Sequence, residues 1–171
     1  MNGTLIAYFS HRGYNYVNGR IIDLETGNTE RIANALRDKT GGDLFEIRAE
    51  KEYPRDYKEC TLEAQKELRA EARPKLAEIP DLSAYDTVFL GYPNWWGTMP
   101  MPVHTFLESA DFGGKRIFPF CTHEGSGLGN SERDIRALCP AAEIRPGLAI
   151  RGSKAADAGA EPDGWLKKFY K

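Results

Sequence analysis

Apolar and polar positions along this chain fall into blocks of two kinds. Short, nearly continuous apolar runs recur at Thr4-Leu5-Ile6-Ala7-Tyr8-Phe9, at Thr87-Val88-Phe89-Leu90-Gly91 and over residues 116–121. A run that is apolar at successive positions has no polar face, which suits a strand buried on both sides of a parallel sheet. Between the runs lie stretches with helical spacing. Residues 29–39 place Ile32, Ala33 and Leu36 on one face, and Gly41-Gly42 stops them. Residues 56–72 form a charged amphipathic pattern between Tyr53-Pro54 and Pro74, and residues 101–110 form another helix. Residues 43–48 and 142–150 read as the second and fifth strands, the latter weakened by Pro146-Gly147. Pro119 predicts a strand end or bulge in the fourth strand. The pattern Ser131-x-x-Asp134 predicts a capped helix with Ile135 and Leu138 inward, and a short helix over residues 165–170 closes the chain.

Strand and helix alternate from end to end, which implies an α/β fold with helices on both faces of a parallel sheet and right-handed crossovers. Five strands in a doubly wound sheet allow the order 2-1-3-4-5, a three-layer sandwich whose ligand crevice lies at the carboxyl ends of strands 1 and 3. The 171 residues fit a single domain, 1–171. No repeat, linker or low-complexity segment interrupts it.

Charge narrows the partners. Asp and Glu number 25 against 23 Lys and Arg, a formal net charge of -2. That balance argues against a nucleic acid or an anionic membrane surface, and against a strongly acidic carrier steering onto basic partners. Cys60, Cys121 and Cys139 show no CxxC spacing and are an odd number, as free thiols in a reducing compartment would be. No charged N-terminus precedes an apolar run and no stretch is long enough to cross a bilayer, so a cytoplasmic protein is expected. No His/Cys cluster suggests a metal, and no Ser-His-Asp order suggests a nucleophile.

The candidate chemistry sits in the loops after the apolar strands. Ser10-His11-Arg12-Gly13 follows the first, and Thr26-Gly27-Asn28-Thr29 opens the first helix. A phosphate needs amide N–H groups at a helix start, hydroxyl or amide donors, and room for backbone approach. Ser10, Asn28 and Thr29 supply donors and Gly27 supplies room; a turn and a helix cap would use the same residues. The intervening segment has Asn18-Gly19 between β-prone residues, so a hairpin insertion at about 13–26 is expected as a flap beside the site, with a plain surface loop as the alternative. After the third strand, Pro93-Asn94-Trp95-Trp96-Gly97 offers rings for a planar ligand to stack on; aromatic anchors of a dimer contact would look the same. After the fourth, Thr122-His123-Glu124-Gly125-Ser126-Gly127 offers a polar, glycine-rich wall.

At these residues the chain resembles the flavodoxin superfamily, specifically its flavodoxin-like members with a split phosphate loop and a Pro-x-Trp-Trp-Gly loop. The resemblance rests on Tyr8-Phe9-Ser10, on Gly27-Asn28-Thr29 with Glu30-Arg31-Ile32-Ala33, on Gly91-Tyr92-Pro93-Asn94-Trp95-Trp96-Gly97, and on residues 119–129. It implies FMN, with Ser10, His11, Arg12, Gly27, Asn28 and Thr29 around the phosphate. It places Pro93, Asn94, Trp95, Trp96 and Gly97 along one side of the isoalloxazine and Thr122, His123, Glu124 and Gly125 along the other. Two departures stand out: the phosphate loop is interrupted, and the chain is less acidic than short-chain flavodoxins.

The cofactor then carries the redox chemistry and the protein sets binding and potential, with no catalytic side chain of its own. A backbone group near Trp96-Gly97 is expected to meet flavin N5. Glu124 at the pyrimidine edge would disfavour an anionic reduced flavin, and His123 would offset it as a donor. Electron transfer to a redox partner protein is the first reading; an FMN-dependent NAD(P)H oxidoreductase acting on quinones or similar acceptors is the alternative, in either case as a monomer or homodimer. A receiver-type signalling module on the same topology needs an acidic pair after the first strand, where this chain has Ser10-His11.

Overall fold

A computed structural model describes residues 3–171. The apolar run at the start forms β1 (Gly3–Tyr8), and its middle residues Leu5, Ile6 and Ala7 are fully enclosed. β4 (Asp43–Glu46) pairs with it on one side and β5 (Tyr85–Pro93) on the other, both parallel. β6 (Arg116–His123) lies beyond β5, and two short strands, β7 (Glu143–Ile144) and β8 (Leu148–Arg151), share the far edge. Counting β7 and β8 as one interrupted strand, the principal sheet has the expected order 2-1-3-4-5.

Alternation along the central strands feeds two cores. Leu5 and Ala7, with Val88, Leu90 and Tyr92, point into the layer of Val103 and Phe106 on α3 (Met101–Ser109) and Ile135 on α4 (Ser131–Leu138). Ile6 and Tyr8, with Phe89, Phe118 and Phe120, point to the opposite layer, where they meet Ile32 and Leu36 of α1 (Asn28–Thr40) and Trp165 of α5 (Ala160–Phe169). The period of two in strands and the wider stripe on helices produce this sorting. The α2 helix (Tyr57–Arg69) packs beside α3 and a hairpin described below.

Local signals end these elements. Gly41 closes α1 in the left-handed conformation, φ 70°, donating its N–H to Arg37 O at 2.8 Å. Asp56 caps α2 by accepting from the Glu59 amide at 2.9 Å. The capping box expected at Ser131 does not form. Asn130 is the cap residue, and the Ser131 hydroxyl donates to Leu128 O at 2.6 Å and meets Tyr92 OH at 2.8 Å. Asp134 accepts instead from the Thr98 hydroxyl at 2.6 Å. Buried tertiary partners outcompeted the local cap.

Pro119 makes neither the strand end nor the bulge its residue type suggested. Pairing of β5 with β6 runs in register from Thr87↔Arg116 to Pro93↔Thr122. The break falls on the neighbouring strand, where β7 leaves β6 at Ile117 and β8 rejoins it at Phe120, around Pro146-Gly147. Ile117 O accepts from Arg145 N on that side, so Pro119, two residues on, turns its missing N–H toward the gap. The last helix begins at Ala160, five residues before the expected start, after a 3-10 turn over Gly152–Asp157. Its polar first turn hides the helix from an apolar pattern.

Between β1 and α1 the chain forms a separate antiparallel pair, β2 (Gly13–Val17) and β3 (Arg20–Leu24). Asn18 and Gly19 both take positive φ, 50° and 81°, the tight turn whose twist matches a hairpin. Among the described residues no helix is long and apolar enough to cross a membrane.

Gly91 is where the two central strands pass closest to a ring: a Cβ there would lie 2.1 Å from the Phe120 ring. Gly91→Ala should destabilise the fold by about 1–3 kcal/mol through overpacking, read as a lower urea midpoint at unchanged slope. An unchanged midpoint would mean that Phe120 has room to move.

Candidate functional site

Because every strand of the principal sheet is parallel, the loops after β1, β5 and β6 leave from one edge, and there they enclose a cavity of about 500 Å³. The start of α1 forms one end of it. Gly27 precedes the helix in extended conformation and, lacking a side chain, caps none of the first amides itself. Ser10 stands against it, its hydroxyl accepting from Glu30 N at 3.2 Å. A Cβ on Gly27 would sit 2.1 Å from Ser10 Oγ and 2.8 Å from His11 O. Gly27 does not line the cavity itself; its missing side chain lets the two halves of the split loop meet. Ser10, Asn28 and Thr29 do line it. Thr29 and Thr122 share a buried hydroxyl hydrogen bond of 2.8 Å that ties α1 to β6. A helix start whose cap residue has no side chain, surrounded by hydroxyl and amide groups, favours an anion.

The two candidate basic groups divide. His11 is buried at the cavity wall, and its Nε2 donates to Pro54 O at 2.9 Å, since a carbonyl can only accept. Arg12, expected near a phosphate, points away. Its guanidinium pairs with Glu30 at 3.1 Å and Glu46 at 3.2 Å, outside the cavity. Two carboxylates already neutralise it, and their hydrogen bonds hold it firmly in the charged form.

After β5, Trp95 N and Thr98 O close a tight turn at 2.9 Å, with Trp96 and Gly97 both at positive φ, 56° and 88°. Asn94 holds this turn against the third loop. Its Oδ1 accepts from Gly97 N at 2.9 Å and its Nδ2 donates to Gly127 O at 2.9 Å, while Gly97 O accepts from Asn130 N at 2.7 Å. Gly97 therefore lies off the lining with both backbone groups engaged, and the peptide groups free to face a ligand belong to Trp96. The Trp95 ring packs edge-on to Phe9 and Tyr53, each at 5.1 Å, and lines the cavity. Trp96 is half exposed at the rim, its indole N–H donating to Thr61 O at 3.0 Å. The two rings differ in place, one in the wall and one at the rim.

After β6, Thr122, His123, Glu124 and Gly125 all line the cavity. His123 Nδ1 accepts from Gly125 N at 2.9 Å, so the ring is a neutral imidazole with its other nitrogen as donor. Burial and, second, the nearby Arg151 lower its pKa. Glu124 is engaged by the hairpin. Its Oε2 accepts from Asn18 N at the hairpin tip, 3.1 Å away. A Cβ on Gly152 would be 2.5 Å from both Glu124 Oε1 and Asn28 Nδ2, which puts the carboxylate at the α1 end of the cavity. The hairpin crosses the opening and reaches the third loop through this contact.

The remaining wall escaped sequence reasoning. Tyr14, Asn15 and Tyr16 come from β2, and Tyr57, Cys60, Thr61 and Ala64 from α2, with Ser126 and Gly152 completing it. Tyr14 and Tyr16 share one strand face, a period-two signal that was available. On α2 the small pair Cys60 and Ala64 at helical spacing is the only hint within a charged helix. Burial, with Glu67 and Glu63 adding to it, pushes the Cys60 thiol up to about 12, and burial raises Cys121 as well. Both are protonated packing groups.

The His123 ring resonances should titrate below the ordinary imidazole value of about 6.5. Its stabilising contribution is complete above that pH and is lost as the pH falls toward the depressed folded-state value. A proton NMR titration checks it; a midpoint at or above the ordinary value would contradict the burial seen here.

With the geometry in place, comparison with known proteins is direct. A family model described as Flavodoxin matches residues 22–168. A candidate flavoprotein from Bacteroides uniformis superposes with TM-score 0.76 at 28% identity, covering 97% of this chain and 98% of that one. Another, from Bacteroides eggerthii, gives TM-score 0.77 at 27% identity over 100% and 99%. A flavoprotein from Lactobacillus acidophilus, solved in complex with FMN, gives TM-score 0.63 at 18% identity over 92% and 97%, a likeness of fold. No curated protein sequence matches this chain.

Proposed function

The chain belongs to the flavodoxin family, and on that footing we propose that it is an FMN-dependent electron-transfer protein. The observation that carries this reading is the convergence of three parallel-strand loops and the start of α1 on one cavity. The residues fit FMN. Ser10, Asn28 and Thr29 with the first α1 amides would hold the phosphate, in the room left by Gly27. The Trp95 and Trp96 loop, facing Tyr14, Tyr16 and Tyr57, would hold the ring system in a cavity within the usual ligand-site range of about 300–1,000 Å³. When bound, FMN supplies one- and two-electron redox chemistry. The chain's own groups exclude water from the ring, and the free peptide of Trp96 is the backbone available to its reacting edge. Neutral His123 donates without adding positive charge.

The rim supports a protein partner. Tyr14, Tyr16 and Trp96 are exposed large apolar groups around one opening, with Ile21 and Ile22 exposed on the hairpin. Aromatic and aliphatic groups of this kind anchor transient complexes. A second reading, an NAD(P)H oxidoreductase acting on quinones or similar acceptors, draws on the tyrosine wall, which offers stacking faces to a small planar acceptor. Three buried, unpaired thiols suit a reducing compartment such as the cytoplasm.

The test is titration of the purified protein with FMN, followed by anaerobic NADH and NADPH. A bound-flavin spectrum that stays oxidised until dithionite or a partner reductase arrives supports the carrier; rapid bleaching by a nicotinamide supports the oxidoreductase. Gly27→Ala should weaken FMN binding by about 10-fold or more, equivalent to ~1.4 kcal/mol, by pushing Ser10 out of the cradle. Absence of FMN binding by the unaltered protein would defeat the proposal.

A further inference from the structure

The hairpin between β1 and α1 stands apart from the rest of the fold. Among the described residues β2 and β3 pair with each other and lie outside the principal sheet. Along β3, Arg20, Ile21, Ile22 and Asp23 are all exposed. Two strands alone are marginally stable in water, so the hairpin depends on what fastens it to the body. Its base is fastened by side chain and backbone together. Tyr14 N donates to Arg55 O at 2.8 Å, the Arg55 guanidinium pairs with Asp23 at 2.7 Å, and Leu24 is buried. Its tip is held more lightly: Val17 is buried, Asn18 and Gly19 are exposed, and Asn18 N donates to Glu124 Oε2 at 3.1 Å. Between base and tip, Tyr14, Asn15 and Tyr16 form part of the cavity wall. The hairpin is a strap across the opening, firmly fixed at one end and latched at the other.

The latch differs in kind from a ligand contact. Both of its atoms belong to the protein, so its strength is the same whether or not the cavity is filled. A contact made to a ligand slows release and leaves association nearly as it was, which is why most substitutions at a binding site act on release. A latch that must break before anything passes slows entry and exit alike. Segments that open for ligands come from the least stable part of a fold, and a lightly held two-stranded hairpin answers that description.

Resting on the FMN reading above, we propose that the β2–β3 hairpin is the gate of the flavin site and that the contact of Glu124 with Asn18 is its latch. The latch sets how often the hairpin opens, and thereby how fast a flavin nucleotide enters and leaves.

The experiment measures FMN association by stopped-flow fluorescence and FMN release by dilution of the loaded protein, for the unaltered chain and three variants. Glu124→Ala should raise both rates together by about 3- to 10-fold, the weight of one hydrogen bond at the protein surface. Glu124→Gln, which keeps an acceptor oxygen, should raise both by less. Asp23→Lys sets a second cation against Arg55, at a pair that lies off the cavity lining. It should also raise both rates by loosening the base, and it carries the test alone if Glu124→Ala does not fold. Faster release at unchanged association would make Glu124 a ligand contact and overturn the inference. Faster association with slower release would overturn it too, because that pattern belongs to a carboxylate that repels the phosphate. Rates unchanged in Glu124→Ala would show that the contact does not control passage. Failure of the unaltered protein to take up FMN is a separate outcome, and it would defeat the FMN reading itself.

Discussion

Parallel pairing of β1, β5 and β6 is the constraint on which everything else hangs. Each of these strands is sealed on both faces, so none offers a polar surface, and each must return by a crossover that leaves all carboxyl ends on one edge. The loops at that edge inherit a rigid base. Segments far apart in sequence, such as Ser10 and Thr122, are brought to the walls of one cavity without any direct attraction between them. The buried Thr29–Thr122 hydroxyl pair ties α1 to β6 across the floor.

The loops are then organised by their own polar groups before any ligand arrives. Asn94 is the clearest case: both ends of its amide are used within the protein, one on Gly97 and one on Gly127. It joins the tryptophan loop to the glycine-rich loop and holds Trp96 in a conformation a bulky residue seldom adopts. Such preorganisation lowers the ordering cost that binding would otherwise carry.

Electrostatics explains the place of Arg12. Glu30 and Glu46 offer it two carboxylates at once, so the arginine knits α1 to β4. Glu124 likewise meets a partner 106 residues away, the hairpin tip. In both cases a partner on another element decided where the charge settled.

Much was legible in the sequence because it depends on local pattern. Unbroken apolar runs identify buried parallel strands, and alternation with helices implies a parallel sheet in which the order 2-1-3-4-5 is allowed. Ser10, Gly27-Asn28-Thr29, Trp95-Trp96 and Thr122-His123-Glu124-Gly125 stand out because each follows a strand end. Asn18-Gly19 signals its turn because few other pairs accept two positive φ angles. What the sequence could not decide were contests between partners on separate elements: Ser131 bonding Tyr92 in place of a cap, Pro119 matched to a gap on the neighbouring strand, Arg12 drawn to Glu30 and Glu46, and Tyr57, Cys60 and Ala64 of α2 turned into the cavity wall. Local pattern follows from the chain's own covalent geometry and solvation, which are short-ranged. Which donor meets which acceptor across the fold depends on distances that exist only once both cores have packed.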